Sequence, residues 1–378
     1  MALKRSFSRF FRQYSSGIDV PLFVTVVAIC LFGVFNMYGI GHSTLKVSDS
    51  IRDSTSLVSK QAVFVVIGVA LMSFLSFFNY RYFKNSSTLV MVFYVAAVLF
   101  LIMPSFFHSI RGVKSWIVIG GLTFEPAELM KFILIILMAK YFSQRHALIN
   151  DFRHIIISGA YCLIPAFITL IQPDLGSAII ITFIWLGMLL SAGINMRHLF
   201  ILIVAGLVAS IMGWLFVLKP YQKVRVASFL NPANDPHGSG YNLIQSKIAI
   251  GNGHWLGSGW GNGPQTKNGF LPEPYNDFIF AATADQFGLA GITIVLAAVL
   301  FILSRILRAG LRTASNFGKL FALGLAIFIA THSIIAGAVN VGLMPITGIP
   351  FPFISYGGSS LISFMMGIGI LQSIKRYG

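Results

Sequence analysis

Carboxylates are scarce in this chain, so the position of each one is informative. Only 11 of the 378 residues are Asp or Glu. Some stand in short polar or basic segments, and the others stand within or beside long apolar runs: Glu125, Glu128, Asp174, Glu273, Asp277 and Asp285. A carboxylate in such a setting can serve as a general acid or base, or can bind the polar part of a substrate.

Asp277 has the most suggestive position of these acids. It ends the stretch Leu271-Pro-Glu-Pro-Tyr-Asn-Asp277, where a polar, glycine-rich segment gives way to an apolar run. A carboxylate at such a border can accept a proton from a substrate hydroxyl group. The sequence therefore predicts general-base catalysis supported by nearby cationic side chains.

Other kinds of catalytic site find little support. The chain has no His-Glu-x-x-His motif and no Cys/His cluster, which argues against bound zinc. No serine has a nucleophile-elbow motif with a His placed to serve it. The glycine-dense stretch 251–263 matches neither a Walker A loop nor a dinucleotide fingerprint. We expect it to allow a close approach of two backbone segments.

Glu128 and Lys131 are three residues apart within an apolar run, so they share one face of a helix. An ionisable residue inside a membrane span is costly unless an opposite charge compensates it. Two interpretations remain open. The pair either fixes a helix in the protein interior or faces a polar substrate cavity.

The segment Lys219-Pro-Tyr221-Gln-Lys223-Val-Arg225 combines two basic residues with a Gln beside an apolar run. These side chains suit phosphate oxygens, and Arg can bind them in a bidentate manner. The alternative is that the basic residues only extend along the membrane surface. Asp174 follows Pro173 and is expected to cap the next helix.

The elements that position these residues are transmembrane helices. Hydrophobic residues make up 56% of the chain, charged residues only 10%, and the mean hydropathy is +0.81. A bilayer core needs about 20 apolar residues per helix. Apolar runs of this kind lie at 20–41, 60–80, 86–105, 126–144, 154–172, 175–194, 197–218, 277–304, 318–344 and 353–374. The prediction is an all-α polytopic membrane protein, a single domain over 1–378. It has about ten transmembrane helices and a large extracytoplasmic loop, about 219–277, between helices 7 and 8.

The net charge of +16 is explained by topology rather than by nucleic-acid binding. Lys and Arg are more frequent in the two termini and in the loops on the same side of the membrane as the termini. They are less frequent in the loops on the opposite side. The positive-inside rule then places both termini in the cytoplasm and the large loop outside. A membrane is thus an expected partner, and nucleic acid is not.

Six motifs in order resemble the SEDS family of polytopic peptidoglycan glycosyltransferases, which includes RodA and FtsW. The resemblance extends over nearly the whole chain from Asp19. The motifs are Gly-x-x-x-Trp…Pro-x-Glu-x-x-Lys at 112–131, Gln-Pro-Asp-Leu-Gly at 172–176, Tyr-Gln-x-x-Arg at 221–225, Gln-Ser at 245–246, Leu-Pro-Glu…Asp-Phe-Ile-Phe-Ala at 271–281, and Pro-Phe-Ile-Ser-Tyr-Gly-Gly-Ser at 352–359.

This resemblance implies polymerisation of lipid II into glycan strands, with undecaprenyl diphosphate as the leaving group. It implies a place in the bacterial inner (cytoplasmic) membrane and a class B penicillin-binding protein, a transpeptidase, as partner. Matching positions put the essential acid at Asp277 and the intramembrane pair at Glu128 and Lys131. The run Thr347-Gly-Ile-Pro-Phe-Pro is closer to RodA, which acts in cell elongation, than to the septal enzyme FtsW.

The predicted mechanism has Asp277 as general base on a 4-hydroxyl group that attacks the anomeric carbon of a second glycan, with inversion. A divalent cation, Mg²⁺ or Mn²⁺, is considered as a bridge to the diphosphate, and no other cofactor is expected. Substrate or diphosphate contacts are predicted at Lys114, Trp116, Tyr221, Lys223, Arg225, Gln245, Glu273, Ser355 and Ser359.

Two other functions fit the same features. A lipid II flippase would also use broken helices, buried charges and a cavity, but the acids here crowd towards the outer side. A scaffold for the transpeptidase is compatible with enzyme activity. The chain also departs from the family pattern at several positions, which puts secondary substrate contacts in doubt: Ser115, Glu125, Ala127, Tyr275, Asn276, Asp285, Gln286 and Ala336.

Overall fold

The computed structural model describes residues 17–43, 48–106, 115–119, 122–145 and 151–378. The first half holds α1 (Val20–Ser43), α2 (Ser48–Phe77), α3 (Arg81–Asn85), α4 (Ser87–Ile102), the antiparallel hairpin β1 (Ile117–Ile119) and β2 (Leu122–Phe124), α5 (Pro126–Gln144), α6 (Phe152–Ile171) and α7 (Leu175–Ser191). The second half holds α8 (Met196–Met212), α9 (Pro220–Leu230), α10 (Ser239–Asn252), α11 (Pro264–Lys267), α12 (Ile279–Arg312), α13 (Asn316–Val341) and α14 (Gly358–Tyr377).

The predicted all-α membrane fold is confirmed, and each predicted span overlaps a helix. By length and composition, 7 helices can cross a membrane: Val20–His42, Ser56–Phe77, Ser87–Phe106, Phe152–Ile171, Met196–Phe216, Ile279–Arg312 and Asn316–Val341. The remaining spans were expected at α5, which carries ionisable residues, at the shorter α7 and at α14. The full number of spans stays a prediction.

Helix α5 is the centre of the bundle. Almost all of its side chains are buried, and it packs against α4, α7, α13 and α14. A helix that is apolar on all faces belongs in the interior of a large membrane protein. The ionisable residues Glu128 and Lys131 are therefore carried into the protein core.

Short polar residues begin several helices, as their chemistry predicts. The side chains of Ser86, Asp151, Asp174, Asn195 and Ser315 each accept a hydrogen bond from a backbone N–H in the first turn of the following helix. Such caps satisfy donors that have no partner within the helix. The expected cap by Asp174 is thus present, with its Oδ1 3.0 Å from the nitrogen of Ser177.

Helix α12 is interrupted at Gly288, where φ is 63° and ψ is −160°. The glycine-dense stretch of the large loop forms backbone hydrogen bonds with α12 at this break. The N–H groups of Leu289 and Ala290 donate to the carbonyls of His254 and Trp255, at 2.9 and 3.0 Å. The expected close approach of two backbones therefore takes place at an interrupted membrane helix.

Three local features differ from the sequence prediction. In the large loop the sequence predicts an amphipathic helix of about three turns at 241–250, which α10 confirms. It does not predict α9, which begins with Pro220 and the Lys219–Gln222 cap. The hairpin β1–β2 was not predicted. The last helix begins at Gly358 rather than near 353, and Pro350 and Pro352 stand in the non-helical segment before it.

Asp19, just before α1, contacts residues near the ends of α12 and α14. Its backbone N–H donates to Oε1 of Gln372 at 2.6 Å, and Arg305 binds its carboxylate through two nitrogens. The start of α1 and the ends of α12 and α14 consequently lie at the same end of the bundle.

Candidate active site

Asp277 lies between the large loop and the first turn of α12, and it is only partly buried. Its backbone carbonyl accepts a hydrogen bond from Nδ2 of Asn340 at 2.7 Å. Asn340 also accepts from the N–H of Ala281 at 3.0 Å. Asn340, on α13, thereby fixes the first turn of α12 and with it the position of Asp277. It also stands one turn after Ala336, one of the positions that depart from the family pattern; the resemblance implies an Asn there.

The segment between α13 and α14 holds the Asp277 turn in place through hydrogen bonds. The hydroxyl of Ser355 donates to the carbonyl of Asn276 at 2.9 Å and accepts from the N–H of Phe351 at 2.8 Å. The N–H of Tyr356 donates to the carbonyl of Tyr275 at 2.8 Å. Ser355, predicted as a substrate contact, is buried and holds the backbone of the Asp277 turn.

Glu273 belongs to the same turn as Asp277. Its φ is 45°, an uncommon value for a residue with a side chain. Its Oε2 accepts a hydrogen bond from Nδ2 of Asn276 at 2.8 Å. Asn276, one of the departures from the family pattern, therefore orients Glu273 close to the candidate base.

A second polar group surrounds Glu125. The indole of Trp116 donates to Oε2 of Glu125 at 3.2 Å, and the hydroxyl of Ser177 donates to Oε1 at 3.3 Å. The backbone N–H of Glu125 donates to the hydroxyl of Ser359 at 2.8 Å. Two predicted contact residues, Trp116 and Ser359, are thus brought together where the hairpin, α5, α7 and α14 meet.

The predicted pair on α5 is formed. Nζ of Lys131 lies 2.7 Å from Oε1 of Glu128, and the side chains are 1% and 3% exposed. The shared helix face was therefore correctly predicted. Such deep burial favours the helix-fixing interpretation, and a direct role at a substrate cavity stays a prediction.

His332 on α13 completes this buried group and was missed in the sequence. Its Nε2 lies 3.8 Å from Oε2 of Glu128, too far for a hydrogen bond. Its Nδ1 lies 3.4 Å from the carbonyl of Pro350, and the rings of Phe328 and Phe364 stand edge-on to it. An ionisable residue in an apolar run was the available signal.

The basic residues of α9 do not all face one direction. The guanidinium of Arg225 lies 5.8 Å from the ring centre of Tyr221, whose hydroxyl lies 3.5 Å from the carbonyl of Pro173. Nζ of Lys223 lies 5.9 Å from the centre of the Trp214 ring, just after the end of α8. Within the described chain, neither Lys223 nor Arg225 has a carboxylate partner in a salt bridge.

Tyr221 remains a hydrogen-bond donor at neutral pH. Burial raises the pKa of its phenol, the Arg225 cation opposes this, and the Asp174 carboxylate adds to it.

Two further predicted contact residues are Gln245 and Lys114. Gln245 lies on α10, beside Ser246, whose hydroxyl donates to the carbonyl of Asn340 at 2.8 Å. Lys114 lies outside the described residues.

Asp285 and Gln286, two further departures, have a structural explanation. Oδ2 of Asp285 accepts from the N–H groups of Gln265 and Thr266 at 3.0 and 2.9 Å. Oε1 of Gln286 accepts from the N–H of Gly261 at 2.8 Å. Both side chains tie the large loop to α12.

Metal ligands are sparse in the described part of the chain. No group of three or more His, Cys, Asp or Glu is placed there to hold an ion. Mg²⁺ often uses only one or two protein carboxylates together with phosphate oxygens of the substrate. The partly exposed Glu273, in the same turn as the candidate base Asp277, fits that smaller donor set.

Comparisons with known proteins agree with this architecture. The family model for the FtsW, RodA and SpoVE proteins, described as "Cell cycle protein", matches residues 20–378. Stage V sporulation protein E of Bacillus subtilis (strain 168) is 33% identical over 360 residues, covering 95% of this chain and 97% of that protein. Peptidoglycan glycosyltransferase MrdB of Escherichia coli (strain K12) is 36% identical over 287 residues, covering 75% of this chain and 77% of that protein.

A solved structure is also similar. A chain from a peptidoglycan synthase complex that coordinates polymerization and crosslinking has a TM-score of 0.77 and 28% identity. The similarity covers 95% of this chain and 98% of that one.

Proposed function

Because the chain belongs to the FtsW/RodA/SpoVE family of cell cycle proteins, we propose that it is a peptidoglycan glycosyltransferase that polymerises lipid II into glycan strands. The observation that carries the proposal is Asp277. It is the partly exposed carboxylate of a turn that Asn340 and Ser355 hold in place. A base whose backbone is held in place needs little rearrangement of the surrounding chain to accept a proton.

In the proposed step, Asp277 takes the proton of a 4-hydroxyl group on one glycan. The hydroxyl oxygen forms a bond to the anomeric carbon of a second glycan, whose bond to the diphosphate oxygen breaks. The electron pair of that bond leaves with undecaprenyl diphosphate. A single displacement of this kind inverts the anomeric configuration.

The leaving diphosphate carries negative charge that cationic groups stabilise. Arg225 and Lys223 on α9 are candidates, because neither is paired with a carboxylate within the described chain. Lys114 is the third candidate. A divalent cation, Mg²⁺ or Mn²⁺, held by Glu273 together with phosphate oxygens of the substrate, would supply further charge stabilisation.

The multi-pass fold sets the proposed location. We place the protein in the bacterial inner membrane, with both termini in the cytoplasm and the large loop outside, because basic residues are concentrated on the side of the termini. The proposed partner is a class B penicillin-binding protein, supported by the similar chain within a peptidoglycan synthase complex. A role of the RodA type in elongation rests on the segment 347–352.

The test is polymerisation of fluorescent lipid II by the purified full chain, with and without a co-purified transpeptidase. The same protein in liposomes is assayed for movement of lipid II across the bilayer. Glycan strands in either enzyme assay are the expected result. Movement of lipid II without any strands would instead support a flippase.

A further inference from the structure

A small cavity lies at the end of the bundle where α1 begins and α12 and α14 end. Its volume is about 70 Å³, several times what one water molecule needs. Four basic side chains line it, from Arg305, Arg308, Arg312 and Lys375, against the single acidic side chain of Asp19. The cavity therefore carries a clear excess of positive charge.

The charges in this cavity are unequally compensated. Arg305 is engaged with Asp19 at 2.6 and 2.7 Å, and Nζ of Lys375 lies 3.4 Å from the same carboxylate. Arg308 and Arg312 are exposed and have no carboxylate partner within the described chain. These two residues are four apart on α12 and so share one helix face. Two guanidinium groups are left available for an anion.

The walls of the cavity are held in place. Asp19 is buried, and its backbone exchanges hydrogen bonds with the side chain of Gln372 at 2.6 and 3.2 Å. The bidentate contact to Asp19 fixes Arg305 in turn. A site with preformed walls binds a ligand at a lower cost in conformational entropy.

We propose that this cavity binds the phosphodiester headgroup of an anionic phospholipid such as phosphatidylglycerol. Arginine binds phosphate oxygens through two parallel N–H donors. Arg308 and Arg312 stand on the last turns of the apolar helix Ile279–Arg312. At 34 residues this helix is longer than the roughly 20 residues that a bilayer core needs, so its charged end can reach the headgroup level. Leu307 and Leu311, beside them, are 40% and 80% exposed. Basic pockets between helices at this level bind lipid headgroups, and the exposed leucines provide contact for acyl chains. This combination favours a lipid over a free phosphate ion.

The experiment uses the purified full chain in a neutral detergent. Native mass spectrometry measures binding of dioleoylphosphatidylglycerol and dioleoylphosphatidylcholine to the wild type and to Arg308→Gln/Arg312→Gln. We expect the wild type to prefer phosphatidylglycerol. The double variant should bind this lipid about thirtyfold more weakly, with phosphatidylcholine binding unchanged.

The matched control is Arg153→Gln/Arg197→Gln, which removes two exposed arginines from the same end of the bundle but outside the cavity. It should retain the preference of the wild type. An equal loss in both double variants would show that general surface charge, not the cavity, attracts the lipid. Displacement of the lipid by inorganic phosphate at equal concentration would show a free-anion site, and would also overturn the proposal. Arg308→Lys/Arg312→Lys keeps the charge and should bind more tightly than the Gln variant, whose thermal unfolding is measured alongside.

Discussion

At the residue scale, the buried contact between Glu128 and Lys131 determines how α5 can sit in the core. Both side chains are almost inaccessible, and their closest atoms are 2.7 Å apart. Removing one partner of a buried ion pair leaves an uncompensated charge, whereas removing both avoids that cost. This difference separates a structural role of the pair from a functional one.

We predict that Lys131→Met lowers the free energy of unfolding by about 3–5 kcal/mol. The double variant Glu128→Gln/Lys131→Met should recover most of this loss, as measured by thermal unfolding of the detergent-purified protein. If the pair only fixes α5, the double variant also regains polymerisation of lipid II. A double variant as unstable as the single one would contradict the ion-pair explanation.

Asp277 could be identified from the sequence because it stands at the border of a polar segment and an apolar run. The residues that hold the Asp277 turn in place could not be identified from the sequence. Asn340 is 63 residues away, and only the packing of α13 against α12 brings its amide to the Asp277 carbonyl. His332 was missed for a similar reason, because hydropathy alone cannot show that a residue on α13 faces Glu128 on α5.

At the element scale, the break in α12 is the feature that joins the large loop to the membrane bundle. An unbroken helix would use its own carbonyls as acceptors for the N–H groups of Leu289 and Ala290. Here the loop residues His254 and Trp255 supply those acceptors. The break at Gly288 adopts a backbone region that is open almost only to glycine.

Gly288→Ala is predicted to destabilise the protein by more than about 2 kcal/mol. An added Cβ would clash with the backbone nitrogen of Gly257 and would lie 2.7 Å from the carbonyl oxygen of Gly253. The expected readouts are a lower unfolding temperature and faster proteolysis of the large loop.

The control is Gly337→Ala in α13, where an added Cβ meets nothing within 4 Å. Alanine has the higher helix propensity, so this variant should be neutral or slightly more stable. If Gly288→Ala and Gly337→Ala change the unfolding temperature and the proteolysis of the loop equally, strain at the break does not explain the loss of stability.

The apolar runs predicted the helices well, because membrane thickness fixes both their length and their composition. The sequence did not predict the hairpin β1–β2, and it predicted a last span that begins five residues before the helix does. These segments take their form from tertiary contacts, as Glu125 does with Ser359 and Tyr356 with Tyr275. No local pattern in the sequence contains those contacts.

At the scale of the whole molecule, Asp19 connects the start of the first helix to α12 and α14. Arg305 from α12 and Gln372 and Lys375 from α14 all reach it. Burial opposes ionisation of this carboxyl group. The hydrogen bonds from Arg305 and Leu22, with the charge of Lys375, nevertheless hold the pKa of Asp19 below its usual value.

A lowered pKa makes the stabilisation by Asp19 dependent on pH. The contribution is fully present above the usual Asp pKa of about 3.9 and is lost as the pH falls through the lower value in the folded protein. We predict that Asp19→Asn lowers the stability at pH 7 by about 1–3 kcal/mol. The variant should lose less stability than the wild type between pH 5 and 3 (about the range around that pKa). Parallel acid-unfolding curves for the two proteins would refute this.

The central claim is that Asp277 is the general base of a lipid II polymerase. The most direct measurement compares the polymerisation rate of purified wild type with Asp277→Asn. The matched control is Asp151→Asn, because Asp151 caps α6 and Asn preserves such a cap. We predict that Asp277→Asn reduces the rate by about 100-fold or more with unchanged unfolding temperature, while Asp151→Asn keeps the wild-type rate. A folded Asp277→Asn protein that polymerises lipid II as fast as the wild type would contradict the account.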